Sequence, residues 1–163
     1  MLTVRAANIA DAATIRKLIS ELADYEKRPG QVRTTEGDIL RDGFGESPEF
    51  RVLLAEWHGM PVGFALFFGH YSTWRGRGFY LEDLFVRPEV RGRGIGKALL
   101  AEMARVAEQE KRVFMRWAVL DWNQPAIAMY RTLGADFLDE WRTVVLAGDG
   151  LKKLKKHLPI TVL

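Results

Sequence analysis

With 163 residues, 48% of them hydrophobic and 28% charged, the chain has the composition of one ordinary globular domain spanning residues 1–163. It contains no cysteine, which excludes disulfides, thiolate metal sites and a covalent acyl-cysteine intermediate. Its net charge of +3 is not a nucleic-acid signature, because Lys152, Lys153, Lys155 and Lys156 carry more than the whole of it and leave the body near neutral.

Met1 to Ala7 has no apolar core and no apolar run reaches membrane length, so the chain is expected to be cytoplasmic, with neither membrane nor nucleic acid as partner. Leu2 to Arg5 reads as a first strand. Asp11 to Tyr25 follows as a helix with Ile15, Leu18, Ile19 and Leu22 on one face, capped by Asn8 or Asp11. After the Pro29-Gly30 breaker, Thr34 to Leu40 reads as a short helix with Thr34 at its cap. Arg51 to Trp57 and Val62 to Tyr71 are strands joined by a hairpin at His58-Gly59-Met60. A loop carrying Trp74 leads to a strand over Phe79 to Val86. A glycine-rich loop then opens a helix to about Glu110, with Ile95, Leu99, Met103 and Val106 inward. Val113 to Leu120 reads as a strand, Gln124 to Leu133 as a helix stopped by Gly134, and Trp141 to Leu146 as a last strand. In the tail, Leu151, Leu154 and Leu158 form the inner side of a short helix whose lysines face water. The order predicts a mixed α/β (α+β) fold of antiparallel hairpins with one strand-helix-strand crossover.

The glycine loop carries the chemistry. In Val90-Arg91-Gly92-Arg93-Gly94-Ile95-Gly96-Lys97 three glycines alternate with other residues just before a helix, whose first N–H groups have no partner inside it. This is an anion cradle or a plain strand-to-helix turn. A nucleotide P-loop is excluded, since Gly92 and Gly96 enclose three residues rather than four and Ala98 follows Lys97. A dinucleotide fingerprint is excluded too, because Lys97 stands where its third glycine belongs.

Arg91-Gly92-Arg93-Gly94-Ile95-Gly96 resembles the signature of the GNAT acetyltransferase superfamily. Tyr80-Leu81-Glu82-Asp83, Trp122-Asn123-Gln124-Pro125-Ala126, Met129-Tyr130, Leu22-Ala23-Asp24-Tyr25-Glu26 and Asp42-Gly43-Phe44-Gly45-Glu46 extend the likeness to its diamine (spermidine/spermine) acetyltransferase branch. The resemblance implies a mostly antiparallel central sheet, splayed where acetyl-CoA binds. It implies that Arg91, Gly92, Arg93, Gly94, Ile95, Gly96 and Lys97 hold the pyrophosphate. Leu84, Phe85 and Val86 would pair with the pantetheine arm, and Asn123, Gln124, Pro125 and Ala126 would complete the cofactor wall. No metal is implied, and the three histidines have no metal-ligand spacing. A homodimer is implied, for which the apolar end Leu158 to Leu163 is a candidate contact.

The implied activity is transfer of an acetyl group to a primary amine of a small molecule, directly within a ternary complex. A non-catalytic acetyl-CoA-binding or regulatory module on the same fold is the alternative. An aliphatic amine has a pKa of about 10.4, so a base must take its proton, and a thiolate of pKa about 8.5 benefits from a donor as it leaves. The resemblance assigns Glu82 as base and Tyr130 as acid, the latter also lining the cofactor. Read without the resemblance, Tyr130 is a core aromatic on a short helix. Glu82 and Asp83 are adjacent carboxylates in an apolar strand. Alternation sends them to opposite faces unless a bulge intervenes, and Asp83 is either a second substrate contact or the partner of a buried arginine. Tyr25 and Glu26 match substrate-side positions or simply end a helix, and Trp74 either walls the amine site or covers the core.

Two departures from the polyamine pattern stand out. Lys27-Arg28-Pro29-Gly30 replaces acidic residues, and Tyr71-Ser72-Thr73-Trp74 lacks an aspartate. A basic loop beside the amine suits an acceptor that bears a carboxylate, such as lysine or its thia-analogue.

Overall fold

Alternating apolar residues and tight turns build the sheet. The computed structural model describes residues 1–156, so the expectations placed on His157 and on Leu158 to Leu163 lie outside the described residues. These form two units, one over Met1–Ala118 and one beginning at Val119.

In the first unit the elements run β1 (Leu2–Ala6), α1 (Ala12–Tyr25), α2 (Glu36–Phe44), β2 (Arg51–Trp57), β3 (Met60–Ser72), β4 (Gly76–Val86), α3 (Ile95–Gln109) and β5 (Phe114–Arg116). The sheet order is β1-β2-β3-β4-β5. The first four strands form an antiparallel meander, and β5 returns parallel to β4 through α3. The β2–β3 turn is two residues long, with His58 at φ 51° and Gly59 at φ 78°, a backbone twist that suits a tight hairpin.

Each face of the sheet buries its own apolar set. Val52, Leu54, Phe64, Leu66 and Phe85 pack with Ile15, Leu18, Leu22 and Ile39 from α1 and α2. On the alternate positions Leu53, Ala55, Ala65, Phe67, Phe79 and Leu81 are buried, and α3 contributes Ile95, Leu99, Leu100 and Met103. At roughly 1.5–3 kcal/mol for each large apolar side chain removed from water, these two layers dominate the stability. Arg5 ties β1 to its surroundings, bonding Asp11 at 2.8 Å and Glu56 at 2.8 Å. The arginine holds the Asp11 carboxyl below its ordinary range.

Several boundaries differ from expectation. The cap of α2 is Thr35, which accepts from the Asp38 N–H while Asp38 answers at the Thr35 N–H, so Thr34 lies outside the capping box. Asn8 caps a single 3-10 turn over Ile9–Asp11 that leads into α1. The strand expected over Val113 to Leu120 shrinks to Phe114–Arg116, because β5 finds partners only at Gly78, Phe79 and Tyr80.

In the second unit, α4 (Gln124–Thr132) is capped by Asn123 and ends at Gly134, whose φ is 75°. α5 covers Asp149–Lys155. The strand expected at Trp141 to Leu146 is absent among the described residues. It has no ladder partner, and Val144 and Val145 are 88% and 79% exposed. Leu151 and Leu154 are exposed as well, so the tail helix does not turn them inward.

Candidate active site

β4 supplies the centre of the site, through an irregularity. Phe67 stands opposite Leu81, but the next residue of β3, Leu66, stands opposite Asp83, which leaves Glu82 as an extra residue in β4. The bulge changes which face the strand shows. Before it, Phe79 lies edge-on to Phe67, on the side that α3 covers. Beyond it, Asp83 and Phe85 oppose Leu66 and Phe64, members of the α1–α2 core. Glu82 is exposed and Asp83 half-buried, and the two carboxylates are neighbours in space as well as in sequence.

Burial, and then the negative charges of Glu82 and Glu26, push the Asp83 carboxyl up to about 7. Among the described residues Asp83 has no ion pair, which removes the buried-arginine alternative. Glu26, the residue after α1, is also raised, mainly by burial, with Arg28 acting in the opposite sense. Three carboxylates thus share one region with Arg28 opposing the charge of Glu26 and no ion pair to Asp83 among the described residues, an arrangement that suits a cationic ligand.

Beyond Tyr80 the other edge of β4 pairs with no strand among the described residues, so Leu84, Phe85 and Val86 are laddered on the β3 side alone. Their unpaired edge leads straight into the glycine loop. Gly92 and Gly94 adopt φ of 77° and 79° and a Cβ on either would meet nothing within 4 Å, so backbone conformation rather than space demands glycine there. Gly94 caps α3 and accepts from the Ala98 N–H at 2.9 Å. The N–H groups of Ile95, Gly96 and Lys97 precede that first helical bond and are free for an anion.

The arginines of the loop have other work. Arg91 lies 4.0 Å over the Tyr25 ring and donates from Nε to the Val86 carbonyl at 2.8 Å, while Arg93 lies 5.2 Å over Trp57. They fasten the loop to the ends of α1, β2 and β4 and leave their charge at its rim. Tyr25 in turn sits 6.5 Å from Phe85, so the loop, α1 and β4 meet at one point. Arg87 completes this junction by bonding Glu21 through two nitrogens at 2.7 and 2.8 Å. Here sequence reasoning missed an open cleft of about 500 Å³, lined by Lys17, Glu21, Asp24, Tyr25, Phe85 and Arg87. No local signal joins these positions, because α1 and β4 are brought together only by the sheet.

Trp74 belongs elsewhere in the first unit. It occupies the β3–β4 turn, is 88% exposed and lies about 20 Å of strand away from Glu82, so it does not cover the core. In the second unit Asn123 accepts from the Ala126 N–H, with Pro125 in the first turn of α4, and Tyr130 is buried. Burial pushes the Tyr130 hydroxyl up to about 12, which keeps it protonated at any working pH.

The profile of the Acetyltransferase (GNAT) family matches residues 15–135. This chain belongs to the GNAT acetyltransferase family. The acetyltransferase is 41% identical over 162 residues to the thialysine N-epsilon-acetyltransferase of Bos taurus, a match covering 93% of this chain and 95% of that protein. It is 36% identical over 139 residues to spermidine/spermine N(1)-acetyltransferase-like protein 1 of Homo sapiens, covering 81% of this chain and 20% of that one. Both matches put the acetyltransferase in the diamine acetyltransferase-like branch. Its fold matches the solved structure of an integron cassette protein from the mobile metagenome of V. cholerae, with a TM-score of 0.78 over 95% of this chain and 98% of that one, at 24% identity.

Proposed function

We propose that this acetyltransferase moves an acetyl group from acetyl-CoA to the side-chain amine of a small molecule, a polyamine or a lysine-like amino acid such as thialysine. The observation that carries the reading is the bulge at Glu82. It sets two carboxylates beside each other on the strand that runs into an anion cradle.

Acetyl-CoA supplies an activated thioester. The chain's own residues supply the rest. The free N–H groups of Ile95, Gly96 and Lys97, with the dipole of α3, suit a pyrophosphate without any metal. The open edge of Leu84, Phe85 and Val86 suits the amides of an extended arm, and Asn123, Gln124, Pro125 and Ala126 complete the wall. Asp83, Glu82 and Glu26 receive the acceptor as an ammonium, which relieves their mutual repulsion. Glu82, the most solvated of the pair on β4, takes the proton from the ammonium directly or through one water and releases it to solvent. Tyr130 gives its proton to the departing sulfur, which leaves as the thiol, and the second proton shed by the acetylated nitrogen restores the phenol. Transfer is direct within a ternary complex, a reading supported by the absence of cysteine from the chain. Residues 1–163 act as one domain in a cytoplasmic homodimer, for which the exposed apolar residues Val144 and Val145 offer contact surface.

Thiol release from acetyl-CoA over a panel of polyamines and amino acids tests the activity, with Tyr130→Phe and Glu82→Gln as controls. Acceptor-dependent release that both variants reduce is the expected result. Absence of acceptor-dependent release would turn the reading to an acetyl-CoA-binding module. Light scattering tests the dimer.

A further inference from the structure

We infer that Arg28 is the carboxylate-recognising residue of the acceptor site and selects amino acids over diamines of the same length. The inference rests on the proposed amine acetylation and names what reads the far end of the acceptor.

Arg28 is held in place by its backbone. α1 closes with Lys27 in the left-handed region at φ 59°, the Lys27 N–H donating to Asp24 at 3.0 Å and the Arg28 N–H to Ala23 at 2.8 Å. The Arg28 carbonyl accepts from the Gln31 N–H at 3.3 Å. A left-handed lysine costs about 1 kcal/mol relative to glycine, so this sharp helix end is maintained against a local penalty. Arg28 follows Glu26 by two residues and opposes the rise of its carboxyl. Arg28 is exposed and forms no ion pair among the described residues.

The charges therefore form a series. Glu82 and Asp83 lie at the bulge of β4, Glu26 caps the end of α1, where Tyr25 sits 6.5 Å from Phe85 of the same strand, and Arg28 follows across the left-handed Lys27. A lysine-like amino acid carries the complementary series, with a side-chain ammonium, then an α-ammonium, then an α-carboxylate. A diamine matches the first two members and leaves Arg28 with nothing to bind. The planar guanidinium fork is suited to a carboxylate, which a solvated point charge reads less well.

Two matched pairs isolate this contact, since each differs by one carboxylate: lysine against cadaverine, and thialysine against bis(2-aminoethyl) sulfide. For the wild-type protein, kcat/KM is expected to be higher for the amino acid in each pair. Arg28→Gln is expected to raise KM for the amino acids about tenfold, with kcat within about twofold, and to leave both diamines within about twofold. Arg28→Lys should recover part of the loss. Equal changes for both members of a pair, or no change for either, would overturn the role of Arg28 while leaving amine acetylation intact. So would a wild-type protein that acetylates the diamines and ignores the amino acids. A wild-type protein that releases thiol with none of these amines, nor with spermidine, would overturn the proposed function itself.

Discussion

Asp83 stands opposite Leu66, although counting outward from the neighbouring Phe67–Leu81 pair puts Glu82 there. One additional residue in β4 therefore turns Asp83 and Phe85 toward α1, where Tyr25 and Glu26 end the helix. The site is built on that change of face, and it can be tested through each group it brings together.

Asp83 should make stability depend on pH. Its carboxyl is raised from the ordinary 3.8 to about 7, so the folded protein holds a proton that the unfolded chain has already lost between those values. The contribution is full below about pH 4 and disappears as pH rises through 7. Asp83→Asn should therefore raise the melting temperature at pH 8 and not at pH 4. The shift is worth roughly 4 kcal/mol at full burial, and water access to a half-buried group lowers this to about 2 kcal/mol. Thermal unfolding of both proteins at the two pH values measures it.

Glu82→Gln should lower kcat by about 10²–10³, the range of a positioned base. The loss should shrink as pH rises toward 10, because free amine becomes available without the carboxylate. Steady-state rates from pH 7 to pH 10 separate this from a binding defect, which would show no such recovery.

Tyr130→Phe removes the donor and keeps the ring. A hydroxyl held near 12 is protonated throughout the working range, so the wild-type profile should show no limb from Tyr130 below pH 10. The variant should lose about 10²-fold in kcat with stability within about 1 kcal/mol. Unchanged kcat would remove the assignment.

Gly94→Ala and Gly96→Ala should part ways. Gly94 has φ of 79°, so an alanine there strains the loop and should cost about 1–2 kcal/mol in stability as well as acetyl-CoA affinity. Gly96 lies inside α3 and outside the left-handed region, so alanine should add about 0.5–1 kcal/mol to stability. It should nonetheless weaken acetyl-CoA, because its methyl group stands beside the free N–H groups. Calorimetric titration with CoA and thermal unfolding read the two effects separately.

What the chain specified locally could be read locally. The end of α1 at Tyr25, the stop of α4 at Gly134 and the hairpin at His58-Gly59 each depend on neighbours in sequence and were legible there. The proposed roles of Glu82 as base and Tyr130 as acid rest on resemblance, since nothing in their spacing requires them. The outcome at Asp83 was not legible, because a bulge is defined by the register of β3 against β4. Nor was the failure of Trp141 to Leu146 to form a strand, since apolar alternation describes a strand's faces and says nothing of whether an edge is available. The sequence by itself determined where most helices and tight turns lie, because hydrogen bonds within a few residues decide them. Only the tertiary structure decided which carboxylates share one region, because that depends on register and chain reversal between segments far apart in the chain.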